Sequence, residues 1–303
     1  MNWFERLDEA LAARLPGLKV VENEPMSRHT SFRIGGPARR MAFPDGAEQL
    51  VRLMEIAAEC GVRPLVIGKG SNLLAADAGL DRLVIDTSED MTKLEEIESG
   101  ILRAEAGVSL GQLAVFAQKR GLTGLEFAHG IPGTVGGGIY MNAGAYGGEL
   151  CQVAVATTAL LPDGTVWEAE GDAQDFSYRN SGFQKKGAVV LRSRFRLQPG
   201  DREQITARMQ ELAEKRRASQ PLEKPSAGST FKRPVGGFAA ALIDQAGLKG
   251  KGVGGVAVSE KHAGFVVNLG GATAADVLAT MELVQKEVWE HSGIQLEPEV
   301  RIW

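Results

Sequence analysis

Apolar residues in the first 121 positions fall into short blocks separated by helix-start and helix-stop signals. Three starts have the form of a capping box, a side-chain oxygen followed three residues later by Glu or Gln: Asn2 with Glu5, Asp45 with Glu48, and Ser109 with Gln112. The second and third predicted helices stop at Gly61 and Gly121, residues suited to a left-handed C-terminal cap. Between the helices, the apolar runs 62–67, 83–86 and 102–106 predict strands. Such alternation belongs to α/β or α+β domains.

Beyond residue 148 the pattern turns to β. The stretches 153–161 and 165–169 flank Pro162-Asp163-Gly164, a turn signal between apolar runs, and 189–197 alternates as a further strand. A break in composition at Gln198-Pro199-Gly200 precedes a long polar helix over about 201–219. The rest predicts a helix near 237–246, a strand at 264–269, a helix at 274–291 and a closing strand over 294–303. No fixed-period repeat and no low-complexity tail interrupts the order.

One stretch fits neither period. Residues 131–148 read IPGTVGGGIYMNAGAYGG, and glycine fills seven of those eighteen positions. Glycine inside a helix or strand costs about 0.5–1 kcal/mol relative to alanine, so a regular element is not the expected purpose. A linker would be polar and serine-rich, whereas Ile131, Val135, Ile139, Tyr140 and Met141 are not. The uncharged stretch 127–148 suffices in length to cross a bilayer, but its glycines, Pro132 and Asn142 speak against that. Close approach of bare backbone to a large flat ligand remains.

A second glycine segment, Gly68-Lys69-Gly70-Ser71-Asn72, follows the run 62–67. Glycines after a strand let N–H groups converge on an anion, and Ser71 and Asn72 can add side-chain donors. It is neither a Walker loop nor the three-glycine dinucleotide fingerprint, and alone it reads better as an ordinary glycine turn. Two glycine-rich loops together suggest a ligand with both a diphosphate and an extended ring. Three further motifs stay open. Tyr178-Arg179-Asn180-Ser181 reads as a turn with one arginine, and Pro225-Ser226-Ala227-Gly228-Ser229 as a capped loop. In Leu296-Glu297-Pro298-Glu299-Val300-Arg301, Glu297, Glu299 and Arg301 share one strand face. That face is either a solvated edge, as the proline suggests, or the wall of a polar cleft.

Composition narrows the partners. With 303 residues, 44% hydrophobic and 24% charged, the chain has ordinary globular proportions and room for two or three domains. Its net charge of −4 gives no general attraction to nucleic acid or an anionic membrane. The tight basic cluster Lys215-Arg216-Arg217 reads as a solvated helix face. Cys60 and Cys151 form neither a disulfide framework nor a metal motif, as expected of a reducing cytoplasm, and no secretory signal is expected.

Taken together, the motifs HTSFRIGG (29–36), GKGSN (68–72), GLEFAHGIPGTVGG (124–137), YMNAGAYGGE (140–149), YRNS (178–181), PSAGSTFKRP (225–234) and LEPEVR (296–301) resemble the UDP-N-acetylenolpyruvoylglucosamine reductase family, flavoproteins of bacterial peptidoglycan synthesis. The resemblance implies an α+β protein. Residues 1–27 would form an N-terminal helix and lead-in. Residues 28–197 would form a vanillyl-alcohol-oxidase-type FAD-binding region of two α/β subdomains, and 198–303 an α+β substrate-binding domain. It implies that Gly68, Gly70, Ser71 and Asn72 hold the FAD diphosphate, while Ile131, Gly133, Thr134, Gly136 and Gly137 wrap the ring. GKGSN lacks a histidine, so the resemblance implies dissociable FAD.

By the same resemblance the catalytic residues are Arg179, Ser229 and Glu299. The chain looks like the compact form lacking a tyrosine loop over the substrate, which leaves Lys232, Arg233 and Arg301 as candidate substrate-binding groups. The implied reaction reduces an enolpyruvyl ether to a lactyl ether with NADPH, in a cytoplasmic monomer without a bound metal. Arg179 would meet the developing carboxylate charge through two hydrogen bonds. Glu299 would donate a hydrogen bond in its protonated form, and Ser229 would protonate the carbanionic carbon. Another FAD-dependent oxidoreductase of the same superfamily is the alternative, sharing the flavin loops but not YRNS, AGS and LEPEVR together.

Overall fold

The computed structural model of the chain describes residues 2–303. They divide into two compact units: residues 2–22, Arg40–Lys69 and Arg82–Lys215 form unit 1, and Asn23–Arg39, Gly70–Asp81 and Arg216–Trp303 form unit 2.

Unit 1 is built on a five-stranded antiparallel sheet with strand order Val166–Glu170, Ala154–Leu160, Val189–Arg196, Ile101–Glu105, Leu94–Glu98. In Val189–Arg196 the alternation expected from sequence appears as burial: Ser193 and Phe195 point inward, while Arg192 and Arg196 are exposed. Phe195 and Phe183 are fully buried, each contributing about 1.5–3 kcal/mol through apolar burial. The polar atoms of this sheet are paired. Thr157 Oγ1 lies 2.9 Å from Gln174 Oε1 and 2.8 Å from Ser193 Oγ, and Gln174 Nε2 donates to the Ala154 carbonyl at 3.0 Å.

A second sheet in unit 1 orders residues 19–22, 40–43, 82–86 and 65–67, the last two in parallel. The helices Trp3–Arg14 and Ala47–Glu59 bury Leu7, Leu11, Leu50, Leu53 and Ile56 in the core that this sheet shares. Two of the expected capping boxes form as read: the Asn2 N–H donates to Glu5 Oε2, and the Ser109 and Gln112 bonds are reciprocal. The middle one shifts. Gly46 is the N-cap of Ala47–Glu59 and has no side chain to offer, so the Asp45 N–H donates to Gln49 Oε1 at 2.9 Å. Gly61 and Gly121 do take left-handed φ, +71° and +67°.

Unit 2 packs the helices Ala239–Gln245 and Ala274–Ser292 on the antiparallel pair Val256–Val258 and Val266–Asn268, with Phe32, Ile34 and Leu74 in the same core. Thr273 and Asp276 cap the long helix, and Asp77 accepts the N–H groups of Ala274 and Ala275 at 2.7 and 3.1 Å. The closing strand is shorter than 294–303. Pro298 cannot donate to a ladder, and regular pairing survives only at Arg301–Ile302, parallel to Leu73–Leu74. The mixture of sheets and helices is α+β, as expected. The compact units part at residues 215–216, within the helix Arg202–Ser219, whereas the sequence boundary lies near 198.

Among the described residues, no helix is long and apolar enough to cross a membrane.

Candidate functional site

The strand Leu65–Ile67 ends unit 1's contribution to the first glycine loop by delivering Gly68. A Cβ built on Gly68 would stand 2.3 Å from Thr134 Oγ1, so the two glycine segments meet where only bare backbone fits. Thr134, 1% exposed, caps the helix Val135–Met141, its Oγ1 accepting the Gly137 N–H at 3.4 Å. A regular element thus occupies the stretch where glycine content argued against one. The reason is close packing. A Cβ on Gly136 would lie 2.9 Å from Ala106 Cβ, and one on Gly138 would lie 2.8 Å from Leu150 Cδ1. The N–H groups of Val135 and Gly136 donate to the Val108 and Ala106 carbonyls, both at 2.8 Å. Gly137 differs: it is exposed, and the nearest atom to its built Cβ is 3.7 Å away.

The loop leading into this helix leaves polar atoms without partners. Among the described residues, no acceptor meets the N–H of Gly133 or of buried Thr134, and His129 Nδ1 is buried without a hydrogen bond. Orphaned buried donors are rare in folded proteins. Ile131, half-buried, packs on the core beside them. A flat ring with polar edges and an apolar face suits this set, and FAD carries such a ring.

Arg179 stands on a two-residue turn closed by reciprocal bonds between Ser177 and Asn180, 3.0 and 3.1 Å. Its φ is +52°, a left-handed value for a side-chain-bearing residue. The guanidinium donates to the Gly144 carbonyl at 3.3 Å and lies 5.1 Å from the centre of the Tyr178 ring. Ser181 Oγ donates to the Tyr140 carbonyl at 2.8 Å. Asn142, 1% exposed and left-handed at φ +44°, donates through Nδ2 to the Ser177 carbonyl and to Glu149 Oε2, both at 3.1 Å. Burial, with the Glu149 carboxylate adding to it, pushes the neighbouring Cys151 thiol up. A protonated thiol is a poor nucleophile.

Unit 2 holds Gly70, Ser71, Asn72, Ser229, Lys232, Arg233, Glu299 and Arg301. Gly70 has φ +53°, and a Cβ there would sit 2.0 Å from the His29 carbonyl oxygen. Asn72 Nδ2 donates to the Glu299 carbonyl at 3.0 Å, and the Asn72 carbonyl accepts the Arg301 N–H at 3.0 Å. The last motif therefore lies against the first glycine loop within this unit. Glu299 N–H donates to the Thr230 carbonyl at 2.8 Å, and Ser229 bridges Phe265. Leu296 and Val300 are buried, Glu297 and Arg301 exposed and Glu299 half-buried, the alternation expected of this motif. Lys232 pairs with Glu297 at 3.3 Å, and the Arg233 guanidinium lies 4.2 Å from the Phe238 ring centre. His262, whose pKa burial lowers, accepts the Gly264 N–H through Nδ1 at 3.1 Å.

Sequence reading singled out Arg179 but not Asn142, the residue bonded to its turn. With no helix expected over 131–148, nothing in the sequence marked Asn142 as the left-handed cap it forms.

Comparison with known proteins agrees in both parts of the chain. Residues 38–170 match the family model described as FAD binding domain. Residues 220–303 match the one described as UDP-N-acetylenolpyruvoylglucosamine reductase, C-terminal domain. The chain is 47% identical to the UDP-N-acetylenolpyruvoylglucosamine reductase of Agathobacter rectalis, with 97% of each chain covered. It is 44% identical to that of Limosilactobacillus fermentum, again over 97% of each. The crystal structure of the Thermus caldophilus enzyme superposes with a TM-score of 0.80 at 35% identity, over 94% of this chain and 98% of that one. An alkyldihydroxyacetonephosphate synthase structure shares the fold over 66% of this chain, with a TM-score of 0.50 at 16% identity.

Proposed function

Since the chain belongs to the UDP-N-acetylenolpyruvoylglucosamine reductase family, we propose that it uses NADPH to reduce the enolpyruvyl ether of UDP-N-acetylglucosamine to UDP-N-acetylmuramate, a peptidoglycan precursor. On this reading it is a cytoplasmic monomer with dissociable FAD held by 28–197 and the sugar nucleotide by 198–303. What supports the reading is that its similarity to named reductases runs over 97% of the chain.

FAD, when bound, would supply a two-electron carrier between NADPH and the enol ether. The chain's own residues supply the rest. Negative charge grows on the carboxylate-bearing carbon, and a fixed guanidinium opposite it contributes more there than in the ground state. Arg179 takes that role, because its planar fork meets a carboxylate at two points and stays charged. Glu299 donates a hydrogen bond to the same carboxylate in its protonated form. Ser229 delivers the proton that completes the reduction. Gly68, Gly70, Ser71 and Asn72 serve the diphosphate; Ile131, Gly133, Thr134, Gly136 and Gly137 serve the ring. Lys232, Arg233 and Arg301 bind the sugar nucleotide.

The assignment of Ser229 has its own test. Protonation by a positioned group is worth about 10²–10⁴-fold. Ser229→Ala should let NADPH bleach the flavin as fast as the unaltered protein does, while recovery of colour on adding the enolpyruvyl substrate slows by orders of magnitude. Ser229→Cys should regain part of that rate. A variant slowed in bleaching alone would remove the proton-donor role.

A further inference from the structure

The turn that carries Arg179 is held by the segment Tyr140–Gly144 at three points, all within unit 1. Ser181 Oγ reaches the Tyr140 carbonyl at 2.8 Å, Asn142 Nδ2 reaches the Ser177 carbonyl at 3.1 Å, and Arg179 Nη2 reaches the Gly144 carbonyl at 3.3 Å. That segment is the direct continuation of the helix Val135–Met141, capped by Thr134 at its other end. Asn142 is the side chain at the centre. It is 1% exposed, it ends the helix in a left-handed conformation, and it bonds on both ends of its amide. Nδ2 donates to Ser177 and Glu149, and Oδ1 accepts the Cys151 N–H at 3.0 Å.

These contacts divide into two sets. The Oδ1 bond to Cys151 and the Nδ2 bond to Glu149 close Asn142's own loop. The Nδ2 bond to Ser177 leaves the loop and takes hold of the arginine turn 35 positions away in sequence. Such a turn, with a side-chain-bearing residue at positive φ, persists only where its surroundings over-determine it.

We propose that Asn142 is a positioning residue for Arg179, fixing the guanidinium against the glycine segment so that the arginine and the ring-binding loop form one rigid piece. The inference rests on the role given to Arg179 above. A misplacement of about 1 Å from the reacting atoms can cost about 10²-fold in rate without loss of fold.

Two variants separate positioning from folding. Glycine is the preferred residue at a left-handed helix cap, so Asn142→Gly keeps the backbone while removing all three bonds. Asn142→Asp keeps the Oδ1 acceptor for Cys151 and loses the donor to Ser177 only where its carboxyl ionises, which burial and the neighbouring Glu149 carboxylate push to higher pH, so its rates are followed as pH rises. Both variants lose buried hydrogen bonds and should melt lower, but at a temperature where each is fully folded flavin bleaching by NADPH should stay within about twofold. Recovery of colour with the enolpyruvyl substrate should fall about 10²-fold in its limiting rate, with the half-saturating substrate concentration shifting far less. Equal losses in both half-reactions, or none in either, would overturn the proposal. If the unaltered protein itself fails to recover colour with this substrate, the functional reading falls instead, whatever the variants do.

Discussion

Arg179 joins two uncommon properties, a guanidinium held by a carbonyl and a left-handed backbone at φ +52°. A strained φ of this kind costs about 1–3 kcal/mol and is tolerated where function needs it. Arg179→Gly and Arg179→Ala both lose the side chain, but only glycine relieves the strain. Urea unfolding should therefore find the glycine variant more stable than the alanine one by about 1 kcal/mol. Arg179→Lys keeps the charge but not the two-point fork, and turnover should fall by about 10²–10³-fold. Near-normal turnover of the lysine variant would take Arg179 out of the chemistry. The residue type was plain in the motif YRNS; its backbone was not, because positive φ at arginine arises from the bonds around Ser177 and Asn180, which no local propensity encodes.

At the scale of elements, the helix Val135–Met141 shows what glycine counting misses. Propensity opposes a helix with three consecutive glycines, but Gly136 and Gly138 pack so closely on Ala106 and Leu150 that a side chain has no room. Tertiary contact outweighs a deficit of about 1 kcal/mol per glycine. The glycines are not equivalent. Gly136→Ala should destabilise the flavin-free protein, whereas Gly137→Ala, with open space around it, should raise stability by up to about 1 kcal/mol. If bare backbone at Gly137 faces the ring, the same variant should lose flavin affinity, and fluorescence titration of the released flavin checks this. An affinity unchanged in Gly137→Ala would confine the ring-binding role to its neighbours.

The long helix Ala274–Ser292 carries a pH dependence of its own. The backbone N–H of Thr273, then its hydroxyl, hold the Asp276 carboxyl below the usual carboxylate range. A depressed folded-state pKa stabilises the fold above the unfolded pKa of about 3.9, and that contribution is lost as pH falls through the folded value. Asp276→Asn should flatten the acid limb of stability measured by urea midpoints below about pH 4. An unchanged acid limb would show that this cap does not couple to folding. The box at Ser109 was legible in the sequence; the one at Thr273 was not, because Asp276 stands where the pattern asks for Glu or Gln. The Asp45 box was misread because a neighbouring glutamine, Gln49, offers the same chemistry one residue later.

For the molecule as a whole, the order of elements up to the helix Arg202–Ser219 was largely visible in alternating apolar runs and caps, and so was the α+β class. The membership of the two units was not. Residues 23–39 and 70–81 pack with Arg216–Trp303 because Phe32, Ile34 and Leu74 share their core and Leu73–Leu74 pairs with Arg301–Ile302. Pairings this distant in sequence leave no local trace. The candidate site was nameable only through the resemblance, from glycines, an arginine, a serine and a glutamate in fixed order. The side chain that bonds to the arginine turn, Asn142, was not among them.

The proposed reaction requires a flavin that passes electrons from NADPH to an enolpyruvyl sugar nucleotide. The visible spectrum of the purified protein, followed without oxygen, tests this directly. NADPH should bleach a flavin absorbance that denaturation releases from the polypeptide, and the enolpyruvyl ether of UDP-N-acetylglucosamine should restore it with one lactyl ether formed per flavin. Colour that returns only on admitting oxygen, with the sugar nucleotide unchanged, would contradict the account.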